Sequence, residues 1–171
     1  MQPVKVRQSP TLTDEERAQL FGWEVDVFGI DAYGYRWQRK EWHVLVEIDH
    51  HPVSHVGLLR REASVGEVSI VLGAVGGVVT SKPFQGQGFG TRALTEAVTV
   101  LRQEWHVDFG ALLCQEPLMS FYARLGWHRV DAPVFFAQPN GAVLSPLVLM
   151  AIACSQQEWP QGAVNLQGFP F

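Results

Sequence analysis

The run Gln85-Gly86-Gln87-Gly88-Phe89-Gly90 constrains this chain more than any other segment, because it joins an apolar, β-branched run ending near Thr80 to a helical pattern that starts at Phe89. Glycines at 86, 88 and 90 remove the side chains that would hold a ligand away from the backbone. The first amides of the helix are unpaired donors at the positive end of its dipole, so this strand-loop-helix unit has the chemistry of a phosphate cradle. Two other phosphate loops do not fit. A P-loop needs Gly-Lys-Ser/Thr at the helix start, and here Phe89 follows Gly88. A dinucleotide fingerprint needs its third glycine one place later and an acidic residue closing a second strand, whereas Asp108 precedes its strand. Taken alone, the run equally describes a tight strand-to-helix turn.

With 171 residues, 47% of them apolar, the chain is expected to form one domain over 1–171 with a full core. The formal net charge is −4 and the basic residues are scattered apart from Arg60-Arg61, which excludes the electropositive face that nucleic-acid binding needs. Met1 to Arg7 lacks the apolar core of a signal peptide and no apolar run reaches membrane-spanning length, so a cytoplasmic protein with no membrane partner is expected. Cys114 and Cys154 each sit in an apolar run, as buried reduced thiols do. His50, His51 and His55 lack a carboxylate or thiolate at ligand spacing, so no metal site is expected.

Thr13 or Asp14 caps a helix through Leu20, with Glu15 and Glu16 in its first turn, and the pattern continues unevenly toward Phe28. Phe28 to Trp37 has glycines too close together for a long helix and is expected to be a loop with a short helical turn. Trp42 to Ile48 and Val53 to about Arg61 form a hairpin around Asp49 to Pro52. After a turn at Val65-Gly66-Glu67, Val68 to Thr80 is a strand whose Gly73, Gly76 and Gly77 signal a bulge or a close backbone approach. Leu94, Ala97, Val98, Leu101 and Trp105 share one face of a helix running from Phe89 to Trp105. Phe109 to Cys114 is a buried strand, and Pro117 opens a short helix that stops at Gly126. Trp127 to Val130 and Leu147 to Ile152 close the sheet. This order gives an α/β fold with a mixed sheet, in which the long helix crosses between two parallel strands.

The spacing Gln85-x-x-Gly88-x-Gly90, the segment Val78 to Leu94, and the helix Phe121-Tyr122-Ala123-Arg124-Leu125 ending in Gly126-Trp127 together resemble the GNAT superfamily of acyl-CoA-dependent N-acetyltransferases. Trp42 to Trp127 is similar to the aminoglycoside 2'-N-acetyltransferases. His55 to Arg61, Val65 to Val68 and Glu158 to Gly162 resemble the nodulation-factor N-acyltransferases. The resemblance covers about the last two thirds of the chain. It implies the GNAT fold, with splayed parallel strands and flanking helices. The aminoglycoside enzymes carry a glutamate where this chain has Gly76, and acidic groups toward the C-terminus where it has Val134-Phe135-Phe136-Ala137. Several ammonium groups need compensating charge, so a less cationic acceptor is expected.

The resemblance further implies acetyl-CoA as co-substrate, with its pantetheine arm pairing to Val78-Val79-Thr80 like an added strand. Amides of Gln85, Gly86, Gln87, Gly88, Phe89 and Gly90, with Thr91 nearby, would hold the pyrophosphate. An amide near Val78 would stabilise the oxyanion as an amine attacks directly, without an acyl-enzyme. Tyr122, a phenol with pKa about 10, is the candidate acid for the departing thiolate. Glu116 and His55 are candidate bases, beside a water chain. Cys114 as a nucleophile would need a depressed pKa and a paired base, against which its apolar flank argues.

Asp31, Trp37 and Glu116 are candidate acceptor-binding residues. The aromatics from Tyr33 to Trp37 and Val134 to Phe136 suit either a pocket or a homodimer contact. Three functional readings stand open: transfer of acetyl to a small primary amine such as an amino sugar or aminoglycoside-like compound, acetylation of a protein N-terminus, and a non-catalytic acyl-CoA sensor.

Overall fold

In the computed structural model, which describes residues 2–171, the chain opens on a strand the sequence pattern does not announce: β1 (Val4–Ser9) pairs antiparallel along β2 (Trp42–Ile48). Between them lies α1 (Asp14–Phe21), fixed by a reciprocal capping box in which the Glu16 amide donates to Thr13 Oγ1 and the Thr13 amide to Glu16. The helix ends at Gly22, whose amide closes the last turn on the Ala18 carbonyl, and does not continue toward Phe28. Arg7 of β1 bridges Glu16 of α1 and Glu47 of β2, which locks this corner together.

The long hairpin of β3 (His51–Val65) and β4 (Val68–Thr80) is the spine of the sheet. The first half of β3 carries β2 on its outer edge and its last residues carry β10 (Val164–Asn165). Next to β10 stand β7 (Val134–Gln138) and β8 (Gly141–Leu144), a hairpin that the aromatic run at Val134 to Phe136 conceals in the sequence. Val134 and Phe136 are buried within the chain, and Tyr35 packs edge-on against Phe136. On the far side of β4, β5 (Phe109–Cys114) runs parallel to it and is followed by β9 (Val148–Ala153) and the short β6 (His128–Arg129).

Helix α2 (Phe89–Thr99) makes the crossover from β4 to β5, and α3 (Met119–Ala123) follows β5. Ala93, Leu94, Ala97 and Val98 of α2 enter one core with Val44, Val46, Val56 and Leu58 on that face of the sheet. The pattern expected to carry α2 on to Trp105 instead widens into a π-turn over Val100–Glu104, with the Trp105 amide donating to the Val100 carbonyl. Leu101 of this turn drops into a trough made by Gly73 and Gly110, which are paired across β4 and β5. A Cβ built on Gly73 would stand 2.2 Å from Leu101 Cδ2, and one on Gly110 3.2 Å from Leu101 Cδ1.

The trough makes a prediction. Gly73→Val overpacks a filled core position and should cost about 1–3 kcal/mol, read as a lower urea midpoint with an unchanged slope. An unaltered midpoint would mean that Leu101 is not seated there.

Candidate active site

Strands β4 and β5 hold parallel register from Leu72–Phe109 to Val75–Leu112 and then part. Each is retained by its outer neighbour: β4 stays with β3 through Thr80, and β5 stays with β9 through Cys114. A cavity of about 460 Å³ opens in the split, lined among others by Val75, Gly76, Gly77, Val78, Leu112 to Gln115, Tyr122, Leu147 and Phe171. The α1–β2 segment closes it from the other side with Asp26, Phe28, Asp31, Trp37 and Lys40.

The split begins at a β-bulge. Opposite the step from His55 to Gly57 on β3, strand β4 takes one residue more, from Val79 to Gly76, and Gly77 lies at φ +59°. The Gly77 carbonyl, turned out of the ladder, is 2.6 Å from His55 Nδ1. A carbonyl only accepts, so His55 carries its proton on Nδ1. Its Nε2 then accepts from His43 Nδ1, 2.9 Å away, which leaves His43 Nε2 as a free acceptor. Phe21 packs edge-on against His55, which is 1% exposed. In a trans peptide the carbonyl and the following N–H point in opposite directions, so fixing the Gly77 carbonyl on His55 sends the Val78 N–H toward the cleft.

Burial, with the cations Lys40 and Arg17 nearby, keeps both rings neutral: His55 is pushed down to about 3 despite its Gly77 bond, and His43 to about 4. His55 is therefore no base for a bound amine, since both of its nitrogens are engaged inside the protein.

The loop expected to cradle a phosphate follows β4 and the short turn at Lys82–Phe84. Gly86 and Gly88 lie at φ +74° and +84°, and a Cβ built on either would meet nothing within 4 Å. No protein acceptor takes the amides of Gly86, Gln87 or Gly88, and those of Phe89, Gly90 and Thr91 head the free first turn of α2. Six consecutive amides thus have no backbone acceptor among the described residues, and Gln85 to Gly88 are exposed. The Gln85 and Gln87 side chains turn back to brace the loop on the Thr80 and Pro83 carbonyls.

The remaining candidates separate. Tyr122 lines the cavity, its hydroxyl has no hydrogen-bond partner among the described residues, and burial, with Cys114 beside it, holds its phenol well above the ordinary range. Val78 lines the cavity, while the Val79 side chain packs with Leu12, Leu20 and Leu45, and its carbonyl accepts from Ser54 Oγ. Thr80 Oγ1 bonds Ser54 Oγ. Asp31 and Trp37 border the cavity on the α1–β2 side. Glu116 is not brought there: its carboxylate is three-quarters exposed and lies 3.8 Å from Arg129. Cys114 is buried and its thiol is pushed up to about 11, the opposite of an activated nucleophile. His50 and His51 are exposed at the β2–β3 turn while His55 points inward, so the three do not converge.

Two contributors have no signature in the chain. Asp26 borders the cavity and accepts the amides of Ile30 and Asp31. Lys40 stretches over Gly57 and Gly76: a Cβ built on Gly57 would lie 2.4 Å from Lys40 Cγ, and one on Gly76 2.6 Å from Lys40 Cε. Strand glycines at these two positions were the only available hint.

The model of the family Nodulation protein A (NodA) matches residues 30–167. No curated protein sequence matches the chain. Among solved structures it is similar to the GNAT family N-acetyltransferase YhbS of Escherichia coli in complex with CoA, at 12% identity and TM-score 0.64, covering 98% of this chain and 91% of that one. It is also similar to Escherichia coli ElaA, at 16% identity and TM-score 0.60, covering 88% and 99%. A GNAT family acetyltransferase of Brucella melitensis in complex with acetyl-CoA is similar at 16% identity and TM-score 0.58, covering 96% of each chain. These likenesses show the mixed, split sheet to be the GNAT fold.

The buried histidine pair yields a pH prediction. Both folded pKa values lie below the ordinary 6.5, so the unfolded chain binds more protons from about 6.5 down to about 4 at His43 and about 3 at His55. Stability contributed by the pair is complete above pH 6.5 and is lost as pH falls through that window. In urea titrations the His43→Asn, His55→Asn double variant should lose less stability between pH 7 and 4.5 than the parent. An equal loss would mean that the rings charge without penalty.

Proposed function

The chain belongs to the Nodulation protein A (NodA) family and is a GNAT-superfamily acyltransferase; from that premise we propose that it transfers the acetyl group of acetyl-CoA directly to a primary amine of a small molecule of the amino-sugar kind. One observation carries this reading: past Val75 and Leu112 the parted strands open an apolar cavity lined by Tyr122, and β4, the strand on one side of it, runs on toward the free amides of Gly86 to Thr91.

Acetyl-CoA supplies an acyl carbon activated as a thioester and a thiolate that can depart. The chain's own residues do the rest. Amides of Gly86 to Thr91 hold the pyrophosphate at the positive end of α2. The Val78 N–H, aimed by the His55–Gly77 bond, donates to the oxygen that gains charge as the amine attacks. Tyr122 stays protonated across the physiological range, offers its proton to the departing sulfur and is restored by the second proton that the attacking nitrogen sheds as it becomes an amide. Since Glu116 lies outside the cavity and His55 is sealed, the acceptor's ammonium proton leaves to solvent at the cavity mouth.

A second reading, transfer of a longer acyl chain, draws support from the cavity itself. Its 460 Å³ falls in the range of about 300–1,000 Å³ that encloses far larger ligands than an acetyl group. Phe28, Leu112, Leu113, Leu118 and Leu147 make that wall apolar.

Free-thiol release from acetyl-CoA and from a medium-chain acyl-CoA, measured across amine acceptors, distinguishes the two. Tyr122→Phe should lower kcat about 100-fold or more with little change in calorimetric acyl-CoA affinity; full turnover by this variant would remove Tyr122 from the chemistry. Gly88→Val, at a φ that a β-branched residue cannot adopt without strain, should instead raise KM for acyl-CoA, and an unchanged KM would overturn the cradle.

A further inference from the structure

Behind the bulge lies a second cavity of about 740 Å³, whose wall includes Arg17, Arg39, Lys40, His43 and His55. It shares Phe21, Phe28, Lys40 and Gly77 with the cleft, so the two adjoin at the bulge. Every formally charged side chain on its wall is cationic, in a chain of net charge −4.

These cations lack counter-charges. Among the described residues, carboxylates lie within 4.0 Å of Arg7 and Arg129, but of none of Arg17, Arg39 and Lys40. Glu16, the nearest acid on α1, is already held by Arg7 and by the Thr13 cap. Lys40 Nζ has one protein acceptor, the Gln38 carbonyl at 3.1 Å, and burial together with Arg61 lowers its pKa to about 8. Arg17 and Arg39 are exposed and Lys40 is partly buried; like charges on one cavity wall repel one another, and an anion relieves that repulsion through charge-assisted hydrogen bonds.

His43 adds a second kind of contact. Its Nδ1 proton is committed to His55 and its ring is neutral, so Nε2 can only accept. The hollow therefore combines donors for an oxyanion with one acceptor for an O–H or N–H.

We infer that this cavity binds an anionic oxygen group, a carboxylate or a phosphate, carried by the acceptor, so that the substrate is an acidic amine. The inference rests on the acyl-transfer reading for the word acceptor, but its binding test does not require turnover. An oxyanion between Arg17, Arg39 and Lys40 anchors the acceptor beside the bulge, with the Gly77–Val78 peptide between it and the cleft.

Calorimetric titration with glucosamine 6-phosphate, glutamate and glucosamine tests this. At least one of the two acidic amines should bind tenfold or more tightly than glucosamine, and the preferred one names phosphate or carboxylate as the group. At pH 8 that binding should take up protons, seen as an enthalpy that depends on the buffer's ionisation heat, because a counter-charge returns Lys40 to its ordinary range. The Arg17→Gln, Arg39→Gln double variant changes two exposed side chains and should keep its thermal midpoint while losing the preference. Tighter or equal binding of glucosamine, absence of binding by all three, or a preference that survives in the double variant overturns the inference. Acidic-amine binding that holds while no thiol is released from any acyl-CoA would bring down the transfer reading and leave this site standing.

Discussion

The hydrogen bond from His55 Nδ1 to the Gly77 carbonyl is the contact on which the working part of this molecule depends. It takes a carbonyl that the bulge has expelled from the ladder and gives it a buried, directional partner, without which the group would be left unsatisfied. The bond does more than satisfy a polar atom. It fixes the plane of one peptide, and with it the direction of the Val78 N–H at the lip of the cleft. Because His43 donates in turn to His55, the pair is a chain of hydrogen bonds with a single self-consistent set of tautomers. Phe21 of α1 presses on the ring from the side, so the first helix also bears on the bulge.

The split that follows is a contest between neighbours. Past Val75 and Leu112, β4 and β5 have no ladder between them, and each follows the strand that still holds it. The glycines on these strands serve distinct purposes. Gly73 and Gly110 make room for Leu101, which draws the end of the α2 crossover onto the sheet just where the parallel register is intact. Gly77 supplies the left-handed backbone of the bulge, and Gly57 and Gly76 clear the face over which Lys40 lies. Anchorage at one end of the strand pair and separation at the other produce a wedge-shaped opening rather than a closed sheet.

Charge separates the proposed acceptor side from the aminoglycoside enzymes that the sequence resembles. Where those enzymes have a glutamate, this chain has Gly76, and the freed space holds the Lys40 amine instead. A positive charge thereby stands at that position, and burial, with the same cations, keeps the histidines beside it neutral. A site so arranged repels a polycation. The acidic residues on the other wall, Asp26 and Asp31, belong to the α1–β2 segment, and Asp26 is already occupied with backbone amides.

Much of this was legible along the chain. The strand, glycine-loop and helix sequence from Val68 to Leu101, the strand at Phe109 and the short helix bearing Tyr122 follow from local periodicity and turn chemistry, which act over a few residues and are written in them. The elements that escaped notice are those whose partners are distant. β1 is a mixed polar strand that gains its ladder only from β2. β7, β8 and β10 are short, and the aromatics of β7 pass for a pocket wall, while α2 ends in a π-turn whose Leu101 meets two glycines on different strands. The same division holds for the site. The sequence by itself determined the free amides at the head of α2, since the first turn of any helix leaves its N–H groups without helical partners. Only the tertiary structure decided that Lys40, Arg17 and Arg39 line one cavity beside the bulge, that both ring nitrogens of His55 are bound within the protein, and that Glu116 lies outside the cleft. Charge and burial depend on neighbours brought together across the sheet, and no local pattern encodes them.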